Sequence, residues 1–324
     1  MTALEDKMAG RNSEAPGRRR AKRWAAAFLL ATLLSALAVW QGLQLRQQFR
    51  RDAWLRLELA QRVQPARTSA RCSPERAQGE PPLRLLILGQ SNAGNHGPRP
   101  AGAEAAPPLQ MQAGEQCILA HDPLPGASGD GGSIWSRLPA RLKETPAGSG
   151  VQRSPQIALL ALQSTTLDDW SRPSSPLNQA LQQELRSLRA AAWTPDLVLW
   201  QQGEADALSG TSAGDYIRGW TRLLAQLQAE GVQAPVLLAR STHCQRDAAQ
   251  GDTNQRFVAQ AGTIREAIQR LTQQHSQLRL GPDTDTLVAS TQRRDGCHFS
   301  GQGLDAAALL WSEAIAATLQ PARP

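Results

Sequence analysis

The sequence predicts an α/β fold: a three-layer, doubly wound domain around a parallel five-stranded sheet, preceded by one N-terminal transmembrane helix. Three observations predict it. From residue 83 onward, short apolar runs alternate with longer stretches whose apolar residues recur every three or four positions, the pattern of parallel strands joined by crossover helices. Ahead of them lies a single long uncharged apolar run flanked by basic residues. Between the two, Pro65 to Pro82 is rich in proline, serine, alanine, glycine and charge and has no apolar periodicity, as expected of a linker.

The apolar run is Trp24 to Leu45, dominated by alanine and leucine, with Trp24 and Trp40 near its ends where indoles favour the membrane interface. Lys7, Arg11, Arg18, Arg19, Arg20, Lys22 and Arg23 precede it, and Arg46, Arg50, Arg51 and Arg56 follow. The heavier positive charge before the run favours a cytoplasmic N-terminus, with everything beyond exported to the periplasmic or extracellular side. The alternative is a cleaved signal peptide, because Ala36-Leu37-Ala38 has the small-x-small pattern of a processing site. The long basic region and the continuation of the run past that site favour an anchor. Residues 46–63 keep Phe49, Trp54, Leu57 and Leu59 among arginines, which suits either a helix at the membrane surface or a solvated stalk. The expected organisation is therefore a cytoplasmic basic segment (1–23), a signal-anchor helix (24–45), a juxtamembrane helix and linker (46–81) and one folded domain (82–324).

Within that domain the expected strands are Leu83–Leu88, Ile157–Leu162, Leu197–Trp200, Val236–Ala239 and the very short Leu278–Leu280. The expected helices are Leu177–Ala192, Tyr216–Glu230, Gln255–His275 and Leu304–Leu319. In doubly wound sheets, sites form at the carboxyl ends of the strands, which says where chemistry should appear.

Charge narrows the partners. The chain of 324 residues has a formal net charge of +7, but residues 1–63, with 12 basic and 5 acidic residues, carry all of it. The remainder is neutral overall, which excludes a nucleic-acid footprint across the folded domain. All four cysteines, Cys72, Cys117, Cys244 and Cys297, lie beyond the apolar run, as suits an oxidising compartment. Three pairings into two disulfides are open. Cys244 and Cys297 both fall in loops expected at the active-site edge, which favours joining them; buried free thiols are the alternative.

Three motifs sit at strand ends. Gly89-Gln90-Ser91-Asn92-Ala93-Gly94 follows the first strand, where a tight turn exposes a serine hydroxyl and frees backbone N–H groups to face a developing oxyanion. Trp200-Gln201-Gln202-Gly203-Glu204-Ala205-Asp206 ends the third strand, and the Gln202 amide there has the chemistry of an oxyanion donor. Near the C-terminus, Asp295-Gly296-Cys297-His298 precedes the last helix, and a turn can fold it so that the carboxylate orients the imidazole. Singly, each motif also suits an ordinary loop or helix cap.

Together, in this order, the three blocks resemble the SGNH/GDSL hydrolase superfamily, specifically its sialate O-acetylesterase-like branch and carbohydrate esterase family six, over Leu83 to about Leu319. The resemblance implies the three-layer, flavodoxin-like SGNH fold and no cofactor. It implies Ser91 as nucleophile, His298 as base and then acid, Asp295 as its orienting carboxylate, Gln202 as an oxyanion donor, Glu204 as a neighbouring support, and Gln90 within the same block. One block departs from the pattern. Where the branch carries Gly-Gly-Thr and then a tryptophan, this chain reads Gln163-Ser164-Thr165-Thr166-Leu167-Asp168-Asp169-Trp170, so the backbone donor expected there falls to Ser164 if its φ and ψ permit. Trp170 would wall a pocket or lie in the core.

The expected activity is removal of an O-acetyl or other small acyl group from a carbohydrate. The alternatives are transfer of that acyl group to a polysaccharide hydroxyl and a non-catalytic carbohydrate-binding envelope module. Other features point less clearly. The glycines of Gly126–Gly132 lack the following Lys-Ser/Thr of a phosphate loop and read as a substrate loop or connector. His96, His121 and His243 have no metal-ligand spacing, so no metal is expected, and Asp283 and Asp285 read as turn residues.

Overall fold

The computed structural model describes residues 16–66, 69–72, 81–99, 107–144, 153–245 and 251–320, in two compact units, residues 1–54 and 55–324. The first fifteen residues of the expected basic segment lie outside the described residues, as do residues 67–68 and 73–80 of the expected linker. Helix α1 runs Pro16–Gln61. It contains one stretch long and apolar enough to cross a membrane, with Leu29, Leu33, Leu37 and Trp40 exposed. At 1.5 Å per residue, the uncharged 24–45 segment spans about 33 Å, against about 30 Å for a bilayer's hydrocarbon core. A signal sequence near an N-terminus can also be this long and apolar.

The second unit is an α/β domain on a mostly parallel central sheet. All five expected strands form: β1 (Leu83–Gly89), β4 (Pro155–Ala161), β5 (Leu197–Gln201), β6 (Val236–Arg240) and β7 (Leu278–Asp283). The sheet has seven strands rather than five, because β2 (Leu109–Ala113) and β3 (Gln116–Ala120) form a hairpin that extends the β4 side. The order is β3-β2-β4-β1-β5-β6-β7, with only β3 antiparallel to its neighbour. The chain fills the β4 side of β1 and then crosses to β5, so the strand order reverses between β1 and β5. That reversal opens a crevice at their carboxyl ends.

The helices flanking the sheet form where capping and periodicity agree. α4 (Pro176–Ala190) begins with Ser175, whose side chain accepts from Leu177 N–H, and with proline at its first position; Leu177, Leu181, Leu185 and Leu188 then form its buried stripe. α6 (Ala213–Ala229) is capped by Ser212 and buries Tyr216, Trp220, Leu223 and Leu227. α7 (Gly251–Gln274) buries Ile264, Ala267, Ile268 and Leu271, and α8 (Gly301–Leu319), capped by Ser300, buries Trp311 and Ile315. Three short helices complete the unit: α2 (Leu138–Glu144), α3 (Leu167–Ser171) and α5 (Glu204–Ser209).

Residues that read as juxtamembrane helix and linker are woven into this second unit. Leu55 is fully buried, Val63 exchanges backbone hydrogen bonds with Gly126 and Ala127 (both 2.9 Å), and residues 70–72 pair with edge strand β3. A Cys72–Cys117 disulfide fastens that pairing, which covers an edge that would otherwise expose unpaired backbone groups. The second disulfide joins Cys244 to Cys297, the pairing the loop positions favoured.

Tryptophans fill much of the core. Trp170 on α3 is fully buried and packs edge-on against Trp200 of β5 at 5.3 Å, and Trp200 packs in turn against Trp220 of α6 at 4.8 Å. Trp170 is therefore a core residue rather than a pocket wall. Removing one of these rings leaves a cavity that rigid neighbours cannot fill. Trp220→Ala is expected to lower the unfolding free energy by about 3–5 kcal/mol, read as a fall in urea midpoint with unchanged slope in a detergent-solubilised full chain.

Candidate functional site

The crevice between β1 and β5 is where the motif residues meet. β1 ends at Gly89, where a Cβ would sit 2.2 Å from Gln201 O, so only glycine lets the two strand ends approach this closely. The chain then turns through Ser91–Ala93. Gln90 N–H donates to Gln201 O (3.1 Å), and the Trp135 indole N–H donates to Ala93 O (2.7 Å), which fastens the turn from both sides. Ser91 and His298 are each only 5% exposed.

His298 lies in a tight loop before α8. Its Nδ1 is 2.7 Å from Asp295 Oδ2, while the other carboxylate oxygen, Oδ1, accepts from the backbone N–H groups of His298 (2.7 Å) and Cys297 (3.0 Å). Partial burial raises the Asp295 pKa, but the imidazole and these two N–H groups outweigh it and bring the carboxyl down to about 2. The carboxylate is thus ionised at any physiological pH and fixes the ring's orientation.

The serine turn and the histidine loop are tied together by Asn92. Its amide Nδ2 donates to Cys297 O (3.2 Å) and to Glu204 Oε1 (2.7 Å). The residue after Ser91 is thereby bonded to the residue before His298. Cys297 O also accepts from the buried guanidinium of Arg293, which donates further to Leu287 O and Thr284 O and lies 4.0 Å over the Phe299 ring. Burial lowers the Arg293 pKa.

Glu204 is fully buried at the start of α5. Ser241 Oγ donates to the same Oε1 (2.7 Å), and Oε2 has no partner among the described residues. Burial pushes its pKa up to about 7, against the opposing pull of the Asn92 and Ser241 hydrogen bonds. Gln90 holds the start of α5: its amide oxygen accepts from Ala205 N–H (3.2 Å).

Gln202 corrects an expectation. Both protons of its amide Nε2 are spent, one on Thr165 O (2.9 Å) and one on Asp206 Oδ2, so it has no amide proton left for an oxyanion. The physical reason is the neighbouring buried Asp206, which burial pushes toward its neutral form and which gathers hydrogen bonds from Gln202, Thr211 Oγ1 and Leu167 N–H. Gln202 instead braces the turn that contains Ser164.

Ser164 adopts φ = 53°, the left-handed region that the missing glycine would occupy. For a serine this costs about 1–2 kcal/mol and persists only where surroundings over-determine it. Gln163 N–H donates to Ser128 Oγ (2.9 Å), and Thr165 Oγ1 donates to Leu162 O (2.8 Å). Ser128 Oγ also lies 3.1 Å from His96 Nε2, and the His96 ring stacks on that of His298 with centroids 5.3 Å apart.

His96, Ser128, Asn92 and Arg293 therefore frame the site although the motifs gave them no role. Asn92 had a signal, its place beside Ser91; Ser128 had only its glycine-rich loop, and Arg293 had none. His121 is exposed and His243 sits at another cavity, of about 380 Å³, at the ends of β6 and β7. There Asp285 accepts from Thr242 and His243 N–H, and Arg265 bridges Asp283 and Asp285, so both aspartates brace that edge. Among the described residues, no group of three His, Cys, Asp or Glu is placed to hold a metal ion.

A solved structure shares this architecture. A protein from Arabidopsis thaliana aligns over 74% of this chain and 100% of its own, with a TM-score of 0.55 and 19% identity. A lipase/acylhydrolase from Enterococcus faecalis (TM-score 0.42, 15% identity, 74% of this chain and 99% of its own) is less similar. So is a catalytic mutant of Axe2, an acetylxylan esterase from Geobacillus stearothermophilus (0.43, 13%, 74% and 97%). No protein-family model matches the chain, and no curated protein matches it in sequence. The likeness to the Arabidopsis protein is one of fold: an α/β domain on a mostly parallel central sheet.

Glu204 gives the site a measurable pH signature. Between pH 4.5 and about 7 the unfolded chain loses this proton while the fold keeps it, so stability falls as pH rises through that window. The slope is at most about 1.4 kcal/mol per pH unit. Glu204→Gln is expected to flatten the urea-midpoint profile there, and an unchanged profile would assign the proton to another group.

Proposed function

We propose that the chain is a serine esterase of the SGNH hydrolase kind, removing an O-acetyl or other small acyl group from a carbohydrate outside the cytoplasmic membrane. The observation that carries this reading is the Asn92 tie, which bonds the turn of Ser91 to the loop of the Asp295–His298 pair. The three motif blocks that resemble the sialate O-acetylesterase-like branch and carbohydrate esterase family six support the acetyl-sugar substrate. The apolar segment of α1 supports a single-pass anchor, with the larger unit on the exported side, where two disulfides are stable.

In this mechanism Ser91 Oγ attacks the acyl carbon while His298 Nε2 takes the hydroxyl proton. Asp295, ionised and bonded at Nδ1, holds the ring in place and stabilises the imidazolium that results. The tetrahedral oxyanion is met by the backbone N–H groups of Ser91 and Ser164, the latter presented by its left-handed turn. His298 then returns the proton to the departing sugar oxygen, leaving an acyl-serine. Water, deprotonated by the same imidazole, attacks that ester and releases the carboxylic acid. Gln202, Glu204 and Gln90 act behind these groups, each bracing a turn.

Acetate release from an aryl acetate and from an acetylated glycan tests the reading. With the full chain in detergent, Ser91→Ala is expected to lose at least about a thousandfold in kcat, and Asp295→Asn about as much. A folded wild type that releases no acetate and transfers no acyl group to an added sugar would instead favour a carbohydrate-binding module.

A further inference from the structure

The last turns of α1 do more than lead into the fold. Leu55 and Glu58, three residues apart on one helix face, both point inward: Leu55 is fully buried and Glu58 is 9% exposed. Glu58 Oε2 accepts a hydrogen bond from Gln163 Nε2 (2.9 Å). Gln163 is the residue before Ser164, and its backbone N–H is already bonded to Ser128. It is thus pinned at both ends of its length, by Ser128 at the main chain and by Glu58 at the tip of the side chain. The next residue holds φ = 53° without being glycine. A conformation that a serine disfavours needs such pins, and the Glu58 pin comes from outside the sheet and its loops.

We propose that Glu58 is a positioning residue for the reaction: through Gln163 it holds the Ser164 turn in its left-handed form, which makes the end of α1 part of the active-site frame. This rests on the reading that Ser164 N–H meets the oxyanion. A charged acceptor suits the task, because a hydrogen bond to a carboxylate is shorter and stronger than one between neutral groups. Nothing in the sequence near residue 58 announces the role, since its partner lies 105 positions away.

The test uses the full chain in detergent. Glu58→Ala is expected to lower kcat on an aryl acetate at least tenfold with KM changed less than threefold, and Glu58→Gln, whose amide oxygen can still accept from Gln163, to recover most of that loss. The decisive comparison places Glu58→Ala in a Ser164→Gly background. If Glu58 works by holding a strained turn, glycine removes the need, and the substitution then costs less than threefold relative to Ser164→Gly alone. An equal loss in both backgrounds overturns the proposal, as does a Glu58→Ala enzyme within twofold of wild type. Amide hydrogen exchange over residues 163–166 supplies a readout that needs no substrate: at least tenfold faster exchange in Glu58→Ala is expected, and unchanged exchange overturns the role even if no ester is turned over. Failure of the esterase reading shows separately, as a folded wild type without acetate release or acyl transfer, or as Ser91→Ala retaining wild-type activity.

Discussion

One buried amide organises this site. Asn92 donates both its side-chain protons, to a carboxylate on one side and to a backbone carbonyl on the other, and every contact lies out of water. Truncating it would take one donor from Glu204 Oε1 and one from Cys297 O, which Ser241 and Arg293 would still bond, so the loss would fall on the tie between segments rather than on an orphaned acceptor. The position matters as much as the strength. Ser91 and Asn92 belong to the first βα turn, Glu204 to the turn after β5, and Cys297 to the loop before α8, so one side chain sets the mutual register of three segments far apart in sequence. Sheet topology brings those segments within reach, because the strand order reverses between β1 and β5.

Around that centre, buried polar groups are handled in two ways. Those of Asn92, Gln90, Gln201 and Arg293 are bonded, several of them twice. The carboxyls of Glu204 and Asp206 are driven toward neutrality by burial, which removes most of the penalty of enclosing a charge. Asp295, nearer solvent, goes the other way and stays ionised. Carboxyls within one crevice thus take opposite tendencies, set by how far each is buried and by what it bonds.

The sequence showed the sheet's centre better than its margins. β1, β4, β5 and β6 are largely apolar on both faces, as buried parallel strands must be, and so stand out as runs such as Leu83–Leu88 and Val236–Ala239, whereas edge strand β7 exposes Arg279 and Leu280 and shows only a short run. The β2–β3 hairpin reads Leu-Gln-Met-Gln-Ala and Gln-Cys-Ile-Leu-Ala; its glutamines belong to a half-solvated edge and resemble a loop. In the site, the blocks place Ser91, Asp295 and His298 in loops near the strand ends, but spacing does not give side-chain direction. Gln202 stands where an oxyanion donor would, yet Asp206 four residues on draws its amide away. Glu58 and Ser128 were illegible for a plainer reason: their roles depend on contacts with Gln163 that no local pattern encodes.

The bond between Cys244 and Cys297 closes a loop 53 residues apart and ends one residue before His298. In the unfolded chain such a crosslink removes conformations equivalent to about 4 kcal/mol, by the loop-entropy account. The His298 loop therefore never explores the whole volume open to a free C-terminal segment. Even when helices and strands have melted, the histidine remains leashed to the end of β6, and refolding begins with that part of the search already finished.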